Sequence, residues 1–304
     1  MSKLTTIILA ALALLLALPG SALAWGPGMH LAAGSFVLDN LTLVTPFVGE
    51  LVAAHRRAFL YGCLSADIFI GKGSTFRPGH SHNWATGFRL LETVTDPRLM
   101  AYAYGYLTHL AADTVAHNHY VPGLLAVAPA SGTTSHVYFE MQADARMHWD
   151  RDEARGLFRT PDKSADGLLL SATRHRRWPF QFQKRLMLGG LALFGRKPWN
   201  DSLSLAERIL PTLNYESYLN RMSRLSFAAV IDCLNNPVSS PVIELDPIGS
   251  QALARVRMMR FTDGRSRIHD LGRHFPVAAD LCALPLPAVP LCPVPSSNLH
   301  AHAG

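Results

Sequence analysis

The sequence predicts an all-α fold, and three observations carry that prediction. Apolar residues recur at helical spacing through most of the chain after residue 24. Long alternating Val/Ile/Thr strands with hairpin turns are missing, and Pro46, Pro97, Pro161, Pro179, Pro198, Pro211 and Pro237 punctuate the periodic stretches. A hydrophobic share of 49% against 16% charged residues excludes disorder and collagen-like or coiled-coil structure, and 304 residues can bury a core without disulfide staples. Fourteen histidines in so lightly charged a chain point to a metal site or acid/base chemistry, because imidazole is both the commonest metal ligand and the side chain that titrates near neutrality.

Residues 1–24 carry Lys3, an apolar run from Ile7 to Leu18, a Pro19-Gly20 break and Ala22-Leu23-Ala24, the pattern of a secretory signal peptide. The run is short for a bilayer span, and no later segment is long enough for one. Cleavage after Ala24 would leave Trp25 as the new N-terminus and send the chain to a periplasm or out of the cell. In that oxidising compartment Cys282 is expected to pair with Cys292 across a proline-rich loop, whereas Cys63 and Cys233 are expected to be lone buried thiols. No C-x-x-C spacing occurs, so a cysteine-based zinc or redox site is not expected.

The expected helices are 29–41, 46–61, 83–94, 97–118, 133–156, 164–176, 181–195, 202–213, 215–235 and 247–260, with no internal repeats. They divide into a helical core over 25–155 that holds the candidate ligands and a further helical region over 156–275 that packs on it. A proline-rich tail over 276–304 is expected to be extended or disordered. Charge is uneven between the parts. Removing Lys3 leaves 27 bases against 22 acids; residues 25–150 hold seven bases and nine acids, net −2, and residues 151–304 are net +7. Nine of the fourteen histidines lie in 25–150.

Within that region, His109 and Asp113 stand i,i+4 on an otherwise apolar helix, with His117 four residues further and His119 beyond it. This spacing puts imidazole and carboxylate on one face, about one turn apart. Buried ionisable groups need a cation or a hydrogen-bond network to hold them, so the pair alone suits a structural role as well as a ligand role. A second pair, His136 and Glu140, repeats the spacing on the next helix, and a Pro/Gly loop around Pro122-Gly123 and Pro129 joins the two into a hairpin whose inner faces bring four or five ligands together. Asp144 and His148 continue that face and are expected to mark its solvent end or to lie behind the ligands. Asp67, within Cys63–Ile70, falls at the end of a strongly apolar helix, where a lone carboxylate would ordinarily be a cap or turn residue. It precedes a glycine-rich loop carrying His80 and His82, after which Asn83-Trp84 opens a helix. At the expected new terminus, the Trp25 amino and carbonyl groups can chelate a metal together with His30.

Together these residues resemble the zinc-dependent phospholipase C family, with the zinc nucleases of single-stranded nucleic acid as neighbours, over about residues 25–150. The resemblance implies an all-α multi-helix domain that holds up to three zinc ions. Trp25, His30 and Asp113 would hold one ion; Asp67, His82, His109 and Asp113 a second, with Asp113 bridging the two; and His119, His136 and Glu140 the third. The family's spacing selects His119 and His82, while helical geometry favours His117, and His80 lies equally within reach. The short interval from Trp25 to His30 is closer to the nucleases, and Glu140 in H-x-x-x-E is closer to the phospholipases.

Six positive charges against the carboxylates of Asp67, Asp113 and Glu140 would leave a net +3 site suited to a phosphodiester. The resemblance implies Asp67 as the catalytic residue that orients or deprotonates the attacking water. The expected substrate is a phospholipid head group, the alternatives being single-stranded nucleic acid or a secreted zinc-binding protein without turnover, and no obligate protein partner is expected. Phe76, Trp84, Tyr102, Tyr104 and Tyr106 suit either a cleft lining or ordinary helix packing. Residues 184–197, basic at both ends around about ten apolar residues, suit a membrane surface or a core helix.

Overall fold

The computed structural model describes residues 25–69, 80–127, 133–193, 216–262 and 273–289, with side chains described throughout except at 133–138, 193 and 260–262. In chain order the helices are α1 (Pro27–Asp39), α2 (Pro46–Ala54), α3 (Arg56–Ser65), α4 (Trp84–Glu92), α5 (Pro97–Val115), α6 (Val121–Val127), α7 (Thr133–Arg146), α8 (Arg151–Arg159), α9 (Lys163–Thr173), α10 (Arg177–Leu193), α11 (Glu216–Asn235), α12 (Ser250–Thr262) and α13 (Ala279–Cys282). No β-strand occurs among the described residues, so the all-α prediction holds. Their starts follow from local chemistry. Pro27, Pro46 and Pro97 occupy first turns, where a missing N–H is tolerated. Asn83, Asp96, Asp150 and Asp162 accept first-turn N–H groups of α4, α5, α8 and α9.

The bundle is organised around α5, whose residues from Ala101 to Val115 are all buried. A helix enclosed on every side needs no polar stripe, which is why its sequence reads apolar all round. Helices α3, α4 and α11 pack against it. The tightest crossing is with α3, at Gly62 and Gly105: a Cβ on Gly105 would stand 2.0 Å from the Phe59 carbonyl oxygen, and one on Gly62 2.1 Å from that of Tyr102. Two backbones can touch there only because neither position has a side chain. The apolar core runs unbroken from Trp25 to Leu281.

Several boundaries differ from the sequence expectation. The 46–61 helix is two helices broken at His55, and 133–156 is likewise split between α7 and α8. The break before α8 has a cause in Asp150, which takes the Asp152 and Glu153 N–H groups and starts a new helix. The expected 97–118 helix runs on through a π-helical segment, Ala116–Tyr120, into α6, so Pro122 and Gly123 are helical and not a loop. Pro122 falls in the first turn after the wider segment, where its ring meets no carbonyl of a continuous α-helix. The expected boundary after 155 falls within α8, and the first residues of the proline-rich segment include the short helix α13. Leu281 of α13 is buried, and Arg224 donates to the Leu286 and Pro287 carbonyls. The 202–213 helix, residues 1–24, Phe76, Pro129 and Cys292, with its pairing to Cys282, lie outside the described residues. Cys63 and Cys233 are buried free thiols, as expected. No described helix is long and apolar enough to cross a membrane.

Candidate metal centre

Asp113, fully buried on α5, is the hub of the site. Its two oxygens face different imidazoles. Oδ1 stands 3.3 Å from His30 Nε2, while Oδ2 stands 3.3, 3.4 and 3.8 Å from the Nε2 atoms of His82, His109 and His117. Asp67, on the 3-10 turn Ala66–Ile68 that ends α3, brings Oδ1 to 3.2 Å from His82 Nε2 and 3.8 Å from His109 Nε2, and Oδ2 to 3.8 Å from His30 Nε2. Two sets of donor atoms therefore gather within 4.8 Å of one another: His30, His109 and Asp113, and Asp67, His82 and His109.

The orientation of His109 follows from the Gly62–Gly105 crossing. Close approach of α3 brings the Cys63 carbonyl to 2.8 Å from His109 Nδ1, and because a carbonyl only accepts, Nδ1 carries the proton. The neutral ring then has its lone pair on Nε2, which lies 3.0 Å from His82 Nε2 and faces both carboxylates. The rings of His30 and His109 stack at 3.7 Å. Burial and the neighbouring His109 hold the His30 pKa below its usual value, against the opposing pull of Asp113 and Asp67, which favours the lone-pair form a metal requires. His30 Nδ1 is buried without a hydrogen-bond partner, while Nε2 faces Asp113 and Asp67. Oxygen and imidazole donors converging in this way fit a divalent cation of the zinc type.

The choices left open by the sequence take different positions. His82, not His80, stands beside Asp67 and Asp113; His80 Nδ1 instead accepts the His82 N–H at 3.0 Å and shapes the loop. His117 lies beside Asp113. His119 is turned away by the π segment, with Nδ1 3.3 Å from the Phe275 carbonyl and Nε2 buried without a hydrogen-bond partner. Burial holds its pKa low as well. Tyr120 donates to the Phe139 carbonyl, which joins the residue after His119 to the residue before the buried Glu140. The His136 side chain lies outside the described residues.

Trp25 is fully buried, its indole N–H 3.1 Å from both the Ala112 carbonyl and Ser226 Oγ and its ring stacked on Tyr120. This seats the start of the described chain against the residue preceding Asp113. Asp144 does not mark the solvent end of its helix. It is buried and accepts the Gly28 and Met29 N–H groups at 2.9 Å each, fixing the N-terminus of α1 one residue before His30. Burial raises its pKa to about 7 against those two hydrogen bonds. His148 is exposed. Tyr102, Tyr104 and Tyr106 are buried packing residues, and the Trp84 indole donates to the Leu245 carbonyl.

Sequence reasoning missed the backbone and hydroxyl groups that orient the ligands: the carbonyls of Cys63 and Phe275, Ser81 Oγ at 2.9 Å from His82 Nδ1, and Tyr218, which donates to the His119 carbonyl. A backbone carbonyl leaves no mark in residue identity, so no pattern of side chains could have found the first two.

No curated protein and no solved structure matches the chain. The family described as zinc dependent phospholipase C matches residues 29–188, which extend past α8 through most of α10 and exceed half of the chain. With its all-α fold and its buried His/Asp cluster, the chain belongs to the zinc-dependent phospholipase C family.

Proposed function

We propose that this protein is a phosphodiester hydrolase that releases the phosphorylated head group of a phospholipid. The observation that carries the reading is the division of Asp113, one oxygen toward His30 and the other toward His82 and His109, the disposition expected of a carboxylate shared by two ions. Trp25 and His30 would complete one ligand set with Asp113, and Asp67, His82 and His109 the other; His119, His136 and Glu140 would form a third. When bound, zinc supplies positive charge that draws a phosphodiester and acidifies water.

The chain's own residues supply the rest. The Cys63 carbonyl locks His109 in one tautomer, and the burial of His30, His82, His109 and Asp113 excludes bulk water from their donor atoms. The Asp67 side chain, 4% exposed against 0% for those four, is the least enclosed of the five. In this reading Asp67 orients the attacking water and takes its proton. The water oxygen bonds to phosphorus as the bond to the glycerol oxygen breaks, and the proton taken by Asp67 is passed to that leaving oxygen, giving diacylglycerol and a phosphorylated head group.

The same reading has residues 1–24 removed on export and Trp25 as the mature N-terminus, which N-terminal sequencing of the secreted protein tests. Activity is tested by offering purified zinc-loaded protein phosphatidylcholine, single-stranded DNA and a chromogenic phosphodiester. Phosphocholine is the expected product. Release of nucleotides alone, or turnover undiminished in a verified metal-free sample, refutes the reading.

A further inference from the structure

Helix α10 has two faces of opposite character. Phe180, Lys184 and Leu191 point inward. Phe180 lies 5.5 Å from the ring of Phe69, just beyond the turn that carries Asp67, and Lys184 reaches both oxygens of the buried Asp166 at 2.9 and 2.8 Å. Lys184 at the start of the 184–197 stretch is therefore committed to a buried ion pair, which leaves Arg185 as the exposed cation of that end. The outer face is another matter. Trp178, Phe182 and Leu186, spaced i, i+4, i+8, are 80%, 54% and 40% exposed, and the first two rings stack 6.3 Å apart with an 8° interplanar angle.

Packing inside the bundle does not explain an aromatic pair on the outer face of a helix whose inner face is already seated in the core. Charge says what would cover it. From 167 to 200 the sequence holds no Asp or Glu and seven Lys/Arg. Once Lys184 is paired, Arg174, Arg176, Arg177 and Arg185 are exposed around the stripe. Apolar rings ringed by guanidinium groups on a helix too short to span a bilayer match an anionic lipid surface, where the rings enter the head-group boundary and the arginines meet lipid phosphates.

We propose that the outer face of α10, centred on Trp178, Phe182 and Leu186, docks the protein on an anionic phospholipid bilayer. The same helix would then touch the membrane on one side and brace the Asp67 turn on the other. This inference does not rest on the hydrolytic reading, because binding is measured without turnover.

The test uses the zinc-loaded mature protein and cosedimentation with phosphatidylglycerol/phosphatidylcholine vesicles in the cold, with pure phosphatidylcholine vesicles alongside. Wild type is expected to partition onto the anionic vesicles and to be released by high salt. Trp178→Ala/Phe182→Ala and Arg176→Glu/Arg177→Glu are each expected to lose at least about tenfold in partitioning, with melting temperature and hydrolysis of a soluble phosphodiester unchanged. Three results would overturn the proposal. Wild type fails to bind anionic vesicles at low salt; the variants bind as wild type does; or the exposed face instead supports a dimer, or single-stranded DNA binding that needs the arginines but not the rings.

Discussion

Replacing Gly105 with alanine tests the link between the helix crossing and the candidate metal site. The new Cβ would stand 2.0 Å from the Phe59 carbonyl oxygen and 3.0 Å from the Cys63 nitrogen, against 3.4 Å or more for ordinary contact. Both obstacles are backbone, so α3 and α5 must part by more than an ångström. That movement stretches the 2.8 Å bond from His109 Nδ1 to the Cys63 carbonyl past hydrogen-bonding distance. Overpacking of this kind costs about 1–3 kcal/mol and the lost hydrogen bond about 1 more, against a gain of roughly 0.5–1 kcal/mol in helix propensity. A net loss of about 1–3.5 kcal/mol lowers the melting temperature by roughly 2–14 °C in a chain of this size. Zinc content should fall with it, because His109 loses its fixed tautomer. Gly156→Ala on α8, where a Cβ would meet nothing within 4 Å, is the control and should melt slightly above wild type. Thermal unfolding by circular dichroism, with zinc counted on the same samples, reads both. A Gly105→Ala protein that melts with wild type and keeps its zinc, or a Gly156→Ala protein equally destabilised, refutes the reasoning.

Asp144→Ala removes the acceptor of two buried N–H groups at the start of α1 and is expected to cost about 2–4 kcal/mol in denaturant unfolding, with loss of zinc, although Asp144 is not assigned as a ligand. Lys184→Met leaves Asp166 buried without its cation and should cost about 3–5 kcal/mol, while Lys184→Met/Asp166→Leu should recover most of that loss. In chelated protein, stability is expected to decline as pH falls below about 6.5. Burial holds the His30 and His119 pKa values low, so the unfolded chain takes those protons first. Asp144, raised to about 7, works in the opposite direction over the same window, because the folded state keeps a proton that the unfolded carboxyl releases; the Asp144→Ala protein should therefore show the steeper acid loss in a pH series of melts. Adding a chelator at neutral pH should lower the melting temperature of the zinc-loaded protein by roughly 5–10 °C, as for loss of a ligand present at about a hundredfold its dissociation constant.

The candidate ligands are legible in the sequence where helix geometry turns proximity into spacing. His109 and Asp113, at i,i+4, fall on one face by spacing alone, and Asp67 and His82 stand 15 residues apart on either side of a glycine-rich stretch of sequence. The choice between His117 and His119 is not legible. It turns on the π segment Ala116–Tyr120, which changes the direction of each side chain after Asp113 and follows from Pro122 and from contacts with Tyr218 and Phe275, about a hundred residues or more away in the sequence. Asp144 stands out as a continuation of the Glu140 face, but its partners are N–H groups 115 and 116 residues away, and a periodic pattern cannot name them. The basic second half shows no ligand pattern for a related reason. It supports the site through groups that carry no metal-binding signature, such as Ser226 under Trp25 and the Asp246 carbonyl on Asn118.

Placing the candidate ligands on the central helix would couple a bound metal to the fold. Asp113 and His109 belong to the stretch of α5 in which every residue is buried, so the charge they carry cannot be relieved by turning a side chain outward. Protonating the imidazoles would balance the carboxylates, but His30 and His109 stack at 3.7 Å, and two imidazolium rings at that separation repel each other in a site where water screens little. A divalent cation meets both demands, because it neutralises Asp67 and Asp113 while leaving each Nε2 as a lone-pair donor. The packing that makes α5 the centre of the bundle is thus the packing that would favour an ion at this site. Substitutions behind the ligands, at Gly105 or Asp144, should accordingly lower zinc affinity and stability together, whereas those on the outer face of α10 should change neither.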